Sequence, residues 1–251
     1  MDKKIALSIS DLQKLYRNGR GVSRLSLSVA EGEVVGLLGP NGSGKTTAMK
    51  AAVGLSRIGA GSISIFGHDI DGEFEKAMYN VGCLIETPAL YDKLSAKQNL
   101  KIAARFYDYP DSESRKNAIN EALTLVGLEK YSRDKVGSFS LGMRQRLGIA
   151  LALISRPGLV ILDEPTNGLD IEGVVHIRNV IRDMAEKLGT AFLISGHVAS
   201  ELEKLCDRVT VIYDGKMCAE GTVDSILEKY PSLEDYFLAM ISEAKERGEG
   251  A

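Results

Sequence analysis

Excess positive charge, abundant cysteine and long apolar runs are all missing from this sequence. Lys and Arg number 31 against 34 Asp and Glu, a formal net charge of -3 with a sequence pI of about 5.8. A protein whose main task is holding nucleic acid needs a clustered cationic surplus to neutralise phosphates, so no nucleic-acid partner is expected. The one loosely basic stretch, Lys14, Arg17, Arg20 and Arg24, reads as a solvated face. Three cysteines, Cys83, Cys206 and Cys218, are odd in number and far apart. They form neither a disulfide framework nor a metal-ligand pattern, and point to a reducing compartment. The longest stretch free of Asp, Glu, Lys and Arg is residues 188–200, well short of the roughly 20 residues that span a bilayer. The opening MDKKIALSIS has two lysines but no apolar run of signal-peptide length. The chain is expected not to cross a membrane itself, which leaves it free to dock on a protein that does. There is no internal repeat and no low-complexity tract.

What is present suits one large α/β unit. Hydrophobic residues make up 44% of 251 and charged residues 26%, enough for a substantial core under an ordinary soluble surface. Early β-rich runs at residues 5–10, 25–29, 33–38 and 62–66 are separated by turn residues such as Asn18-Gly19 and Glu31-Gly32. The first runs alternate apolar and polar residues, as half-buried antiparallel strands do. Runs at 34–38, 81–85, 159–162, 191–194 and 209–212 are continuously apolar and suit parallel strands buried on both faces. Residues 99–107, 113–126 and 141–154 carry helical spacing instead. The expected organisation is a single domain over 1–241, with a core at 1–87 and 156–230, a helical insertion over about 88–155 bounded by Pro88 and Pro157, and a C-terminal tail at 231–251 whose charged end, EAKERGEGA, is expected to fray.

The segment GPNGSGKTT, residues 39–47, fits the phosphate-loop pattern G-x-x-x-x-G-K-[ST] in full. An apolar strand, VVGLL, leads in, and a helix at 46–53 follows and stops at Gly54, a plausible C-cap. Gly39, Pro40, Asn41, Gly42, Ser43, Gly44, Lys45, Thr46 and Thr47 are the expected nucleotide-binding residues. The glycines let backbone N–H groups turn inward round an anion, and a helix N-terminus adds roughly half a positive charge. Lys45 is expected to reach the β- and γ-phosphates, and the Thr46 hydroxyl to ligate Mg²⁺.

A second chemical signal is LVILDE, residues 159–164, an apolar strand ending in two acids. In an open α/β sheet the ligand sits at the carboxyl ends of the strands. Asp163 is expected to hold Mg²⁺, and Glu164 to polarise a water for in-line attack on the γ-phosphate. A Mg·ATP hydrolase follows. No N-K-x-D guanine-reading sequence is present, which argues against a GTPase.

The acid strand runs on into PTNGLD at 165–170; upstream lies FSLGMRQRL at 139–147, and downstream a strand ends at Ser195-Gly196-His197. This order and spacing resembles the nucleotide-binding subunit of ABC transporters over roughly residues 5–230. The resemblance implies a P-loop NTPase (RecA-like) core with an N-terminal antiparallel β subdomain and an inserted α-helical subdomain. It also implies a head-to-tail dimer, a homodimer by expectation, with each ATP held between the phosphate loop of one copy and the signature segment of the other. Ser140 and Gly142 match the usual LSGGQ signature, while Leu141 and Met143 depart from it. By the same resemblance His197 contacts the γ-phosphate, Asp170 couples the two sites and Tyr16 stacks on adenine. Lys45, Glu164 and His197 form the expected catalytic set, with Thr46, Asp163 and Glu86 the expected metal set. Glu86, in VGCLIETPALY, stands where the family usually carries glutamine; a carboxylate there is tolerated best as a metal or water ligand. Glu86, SLGMRQR and the tail SLEDYFL resemble the subfamily of bacitracin- and lantibiotic-resistance exporters. The implied setting is the cytoplasmic face of the membrane, peripheral through an integral membrane permease that meets residues 88–94. The rival reading is a soluble ABC-type ATPase that remodels a protein complex, such as one for iron–sulfur assembly.

Overall fold

A computed structural model describes residues 4–247. Two sheets organise it. The first strands are β1 (Ile5–Leu15), β2 (Gly21–Ala30) and β3 (Val34–Leu38), followed by helix α1 (Lys45–Ala52). Then come β4 (Ala60–Ile65), β5 (His68–Asp69), α2 (Phe74–Met78) and β6 (Val81–Leu84). Helices α3 (Ala96–Ala103), α4 (Ser112–Leu125) and α5 (Leu141–Leu153) lead to β7 (Leu159–Leu162), α6 (Ile171–Leu188) and β8 (Ala191–Gly196). The chain finishes with α7 (Ala199–Glu203), β9 (Arg208–Tyr213), β10 (Lys216–Thr222), α8 (Val223–Leu227) and α9 (Leu233–Glu246). The antiparallel sheet has the order β2-β1-β4-β5, and the larger sheet the order β10-β9-β3-β8-β7-β6, parallel except for its edge strand β10.

The continuously apolar runs are the parallel strands, as expected from burial on both faces. Side chains alternate across a strand, so each of these strands feeds two cores. Val34, Leu38, Val160, Leu162, Phe192 and Ile194 join the core under α3 to α6. Val35, Leu37, Leu159, Ile161, Ala191 and Leu193 join the other, beneath the antiparallel sheet and α1. The sheet is thus the wall between two hydrophobic compartments, which holds its strand ends in fixed register.

Register decides where the site forms. Leu38 pairs with Gly196, Ile194 with Leu162, and Leu162 with Leu84. The residues that follow β3, β7, β8 and β6, from Gly39, Asp163, His197 and Glu86 onward, therefore emerge along one edge of the sheet, the carboxyl ends of parallel strands.

Several boundaries differ from the sequence expectation. β1 continues past residue 10 and β2 begins before residue 25, because the pair absorbs its irregular residues in bulges. Register shifts fall between Ile9 and Leu12 and between Leu12 and Lys14, and Asp11 and Arg24 take positive φ of 46° and 55°. Helix α3 starts at Ala96 rather than 99, since Ser95 and Gln98 form a reciprocal capping box; a 3₁₀ turn, Ala104–Phe106, closes it. The expected fray at the C-terminus is not seen from Glu243 to Glu246, which belong to α9, held in part by an Arg247–Glu243 pair at 2.7 Å. The last four residues of EAKERGEGA, 248–251, lie outside the described residues, as does the start of MDKKIALSIS at 1–3. Gly82 is required by close packing, since a Cβ there would sit 1.9 Å from the Ala152 carbonyl oxygen of α5.

Candidate functional site

The phosphate loop is shaped by β3, which delivers Gly39, and by α1, which starts at Lys45. Gly44 caps that helix at φ 106°, where a side chain would strain the backbone and a Cβ would lie 2.7 Å from the Gly21 carbonyl oxygen. The Lys45 ammonium donates to the carbonyl oxygens of Gly39 at 2.7 Å and Pro40 at 3.0 Å. Burial pulls its pKa below the usual lysine value, opposed by the negative charges of Glu164 and Asp163. The Ser43 hydroxyl is buried with no partner among the described residues.

Two oxygen donors meet across the strand ends. The Thr46 hydroxyl donates to Asp163 Oδ2 at 2.9 Å, and Asp163 is 7% exposed. Ser195, 1% exposed on β8, donates its hydroxyl to Asp163 Oδ1 at 2.5 Å and accepts the Glu164 backbone N–H at 2.9 Å. Glu164 follows with a positive φ of 47°. One carboxylate oxygen lies 3.2 Å from His197 Nδ1, and the other accepts from the Asn167 side chain. Two adjacent acids thus have separate partners: a hydroxyl pair around Asp163, and an imidazole and an amide around Glu164.

A groove of about 270 Å³ joins these parts. Its lining includes Tyr16, Arg20, Gly42, Lys45, Thr46 and Glu164. Tyr16 is 44% exposed there, with the Lys14 ammonium 5.3 Å from its ring centre. Arg20, exposed as expected from the sequence, also lines this groove, because the turn between β1 and β2 lies beside the phosphate loop. A larger cavity of about 460 Å³, lined by residues of α6, β8 and α7, shares Glu164 with this groove and also includes His197.

Other expected site residues lie apart. The Ser140 hydroxyl accepts the Met143 N–H at 3.2 Å as the N-cap of α5, and Gly142 packs against Gly168, where a Cβ would meet the carbonyl oxygen at 2.8 Å. Neither lines the phosphate groove. Leu141 is 67% exposed and lies on Gly168. Asp170 is the N-cap of α6, accepting the Gly173 N–H at 2.8 Å. Glu86, at φ 62°, pairs with Lys50 of α1 at 2.6 Å. Its carboxylate makes no hydrogen bond to Thr46 or Asp163 among the described residues. No cluster of three or more His, Cys, Asp or Glu suited to a metal occurs among the described residues.

Three participants went unread in the sequence. Ser195 is a polar residue closing an apolar strand, and that contrast was the signal. Asn167 sits three residues after Glu164. Gln145, 7% exposed, donates to the carbonyl oxygens of Glu164 at 3.2 Å and Pro165 at 3.3 Å, which ties α5 to the acid strand.

Residues 22–167 match the family described as ABC transporter. An uncharacterized ABC transporter ATP-binding protein, YdbJ of Bacillus subtilis (strain 168), is 46% identical over 85% of this chain and 68% of its own length. The bacitracin transport ATP-binding protein BcrA of Bacillus licheniformis is 40% identical over 89% of this chain and 72% of its own. A solved ATP-binding subunit of an ABC transporter superposes with a TM-score of 0.84 at 29% identity, covering 94% of this chain and 99% of that one.

Proposed function

The chain belongs to the ABC transporter family as an ATP-binding, ATP-hydrolysing subunit, and from that premise we propose that it hydrolyses Mg·ATP between two copies of itself to drive a separate membrane permease. The transported substrate in this reading is a peptide antibiotic or a similar amphiphile, by likeness to the bacitracin transport relative. The carrying observation is that the phosphate groove gathers Tyr16, Lys45, Thr46 and Glu164, while Ser140 and Gly142 lie outside its lining. A second copy supplies the missing donors: free N–H groups at the start of α5 make an anion site for a γ-phosphate arriving from outside. Asp170, two residues after the Gly168 that packs on Gly142, is where the two copies sense each other.

Thr46 and Asp163 fit Mg²⁺, being paired hard oxygen donors with Asp163 fixed by a buried serine. The ion supplies charge neutralisation on the phosphate oxygens. Lys45 places a fixed cation against the β- and γ-phosphates. Glu164 orients and polarises the attacking water; His197 holds one carboxylate oxygen and Asn167 the other, so the acid faces one direction. ATP drives closure only through its higher affinity for the closed pair. The motion leaves through residues 88–94, which follow Glu86 and carry the exposed Tyr91. No helix among the described residues is long and apolar enough to cross a membrane, so the proposed position is peripheral, on the cytoplasmic face.

The test is co-purification of tagged protein from detergent-solubilised membranes, with phosphate release measured on the product. A stoichiometric polytopic membrane protein that alters the ATPase rate is expected. ATPase confined to the soluble fraction, with no membrane partner, overturns the transport reading.

A further inference from the structure

Glu86 poses a physical problem for the site just described. It follows β6 at the same sheet edge as Asp163 and Glu164, outside the phosphate-groove lining, so a third carboxylate shares the edge where a ligand with several negative charges is proposed to bind. A negative charge placed there lowers the affinity for a nucleotide unless something offsets it. Among the described residues, the only hydrogen-bonding or ion-pair partner of its carboxylate is the Lys50 ammonium, at 2.6 Å. Lys50 lies on α1, the helix that begins with the phosphate-loop lysine. It is 28% exposed, and it feels Asp163 as well as Glu86: hydrogen bonding to Glu86 is the main cause raising its pKa, and the Asp163 charge adds to this. The backbone of Glu86 is held at φ 62°, a region side chains seldom adopt.

We infer that Lys50 is a positioning residue for ATP binding: its ion pair fixes the Glu86 carboxylate in place and keeps it from turning toward the triphosphate, while tying the loop after β6 to the phosphate-loop helix. The inference rests on the reading of Glu86 as part of the nucleotide site. The plainer alternative is a surface ion pair of little consequence, as most exposed pairs are. The two differ in one respect. A lysine that restrains the carboxylate has its large effect only while position 86 carries a charge, whereas a lysine acting through its own charge alone would count equally in both backgrounds.

A double-mutant cycle on the isolated chain reads this directly. The Kd for Mg·ATP is measured by calorimetric titration for wild type, Lys50→Met, Glu86→Gln and the double variant, at low and at high salt, with melting temperatures recorded for each. Lys50→Met in the otherwise wild-type chain is expected to weaken ATP binding roughly tenfold, the size of effect one uncompensated charge produces near a phosphate site. The same substitution added to Glu86→Gln is expected to change Kd by less than about twofold. The tenfold effect shrinks at high salt, because screening weakens the exposed carboxylate. Lys50→Arg keeps the positive charge and binds ATP close to wild type. An equal factor for Lys50→Met in both backgrounds, or no change beside Glu86, overturns the inference. Because the readout is nucleotide affinity without a permease, a failed search for a membrane partner leaves this result intact, and the reverse also holds.

Discussion

Replacing Ser195 with alanine removes the one side chain among the described residues that hydrogen-bonds to both acids. Its hydroxyl is buried, donating to Asp163 at 2.5 Å and accepting the Glu164 N–H at 2.9 Å. A hydrogen bond to a charged group is worth about 1.5–3 kcal/mol, and a buried N–H left unpaired costs about 1–3 kcal/mol. The two losses share one atom and a small cavity, so we expect a destabilisation of about 2–4 kcal/mol rather than their sum. For a chain of this size that lowers Tm by roughly 5–15 °C. The effect on function is separable. Asp163 keeps only Thr46, and the direction of its carboxylate is no longer fixed; loss of such a supporting partner typically costs 10–100-fold in metal affinity or activity. The assay is steady-state phosphate release against Mg²⁺ concentration, well below the variant's Tm. The Mg²⁺ needed for half-maximal rate should rise at least tenfold. A variant with lowered Tm but unchanged Mg²⁺ dependence and turnover refutes the argument and reduces Ser195 to packing.

Glu164→Gln should lower phosphate release by about 10²–10⁴-fold, the usual range for a lost acid–base group, while Glu86→Gln keeps measurable ATPase; equal losses in purified variants would sink the distinction. Tyr16→Ala should weaken ATP binding by about 5–150-fold if the ring stacks on the base, the range expected from about 1–3 kcal/mol per stacked base, and a nucleotide titration showing less than twofold change removes the stacking role. Gly82→Ala forces a Cβ to within 1.9 Å of the Ala152 carbonyl oxygen; it should cost about 3 kcal/mol or more and lower Tm by roughly 6–12 °C, and an unchanged melting curve would show that α5 can shift away.

The fold was legible where one local signal was unopposed. Unbroken apolar runs identified the parallel strands, and the glycine loop between VVGLL and a helix located the phosphate loop. Strand ends were misjudged where Asp11 and Arg24 interrupt alternation, because bulges absorb them and a bulge leaves no periodic trace. The early start of α3 was legible in Ser95 and Gln98, whose spacing is that of a capping box. Contacts between distant residues were not legible. Nothing local says that Lys50 meets Glu86, or that Arg20 reaches the phosphate groove; both depend on sheet register and on how one loop lies beside another. Ser195 lies between these cases: its polarity in an apolar strand was visible, but its partners depend on β8 lying beside β7.

The loop at 88–94 is connected to the site by two links of unequal strength. One is packed. Gln145 binds the Glu164 and Pro165 carbonyl oxygens, and α5 lies so close to Pro88 that a Cβ at Gly148 would fall 2.7 Å from it. Arg144 adds a pair with Asp92 at 2.7 Å. The other is the Lys50–Glu86 pair, half open to water and reaching α1 rather than α5. Leaving Gln145 without partners costs about 1–3 kcal/mol, whereas an exposed ion pair is worth about 0–1 kcal/mol. If α1 and α5 move relative to each other, the loop therefore stays with α5 and the acid strand, and the exposed pair is the contact that yields. Glu86 is then freed at the moment the phosphate loop changes position relative to Glu164. A neutral glutamine there would give up no ion pair, so the carboxylate makes the release of this loop sensitive to charge.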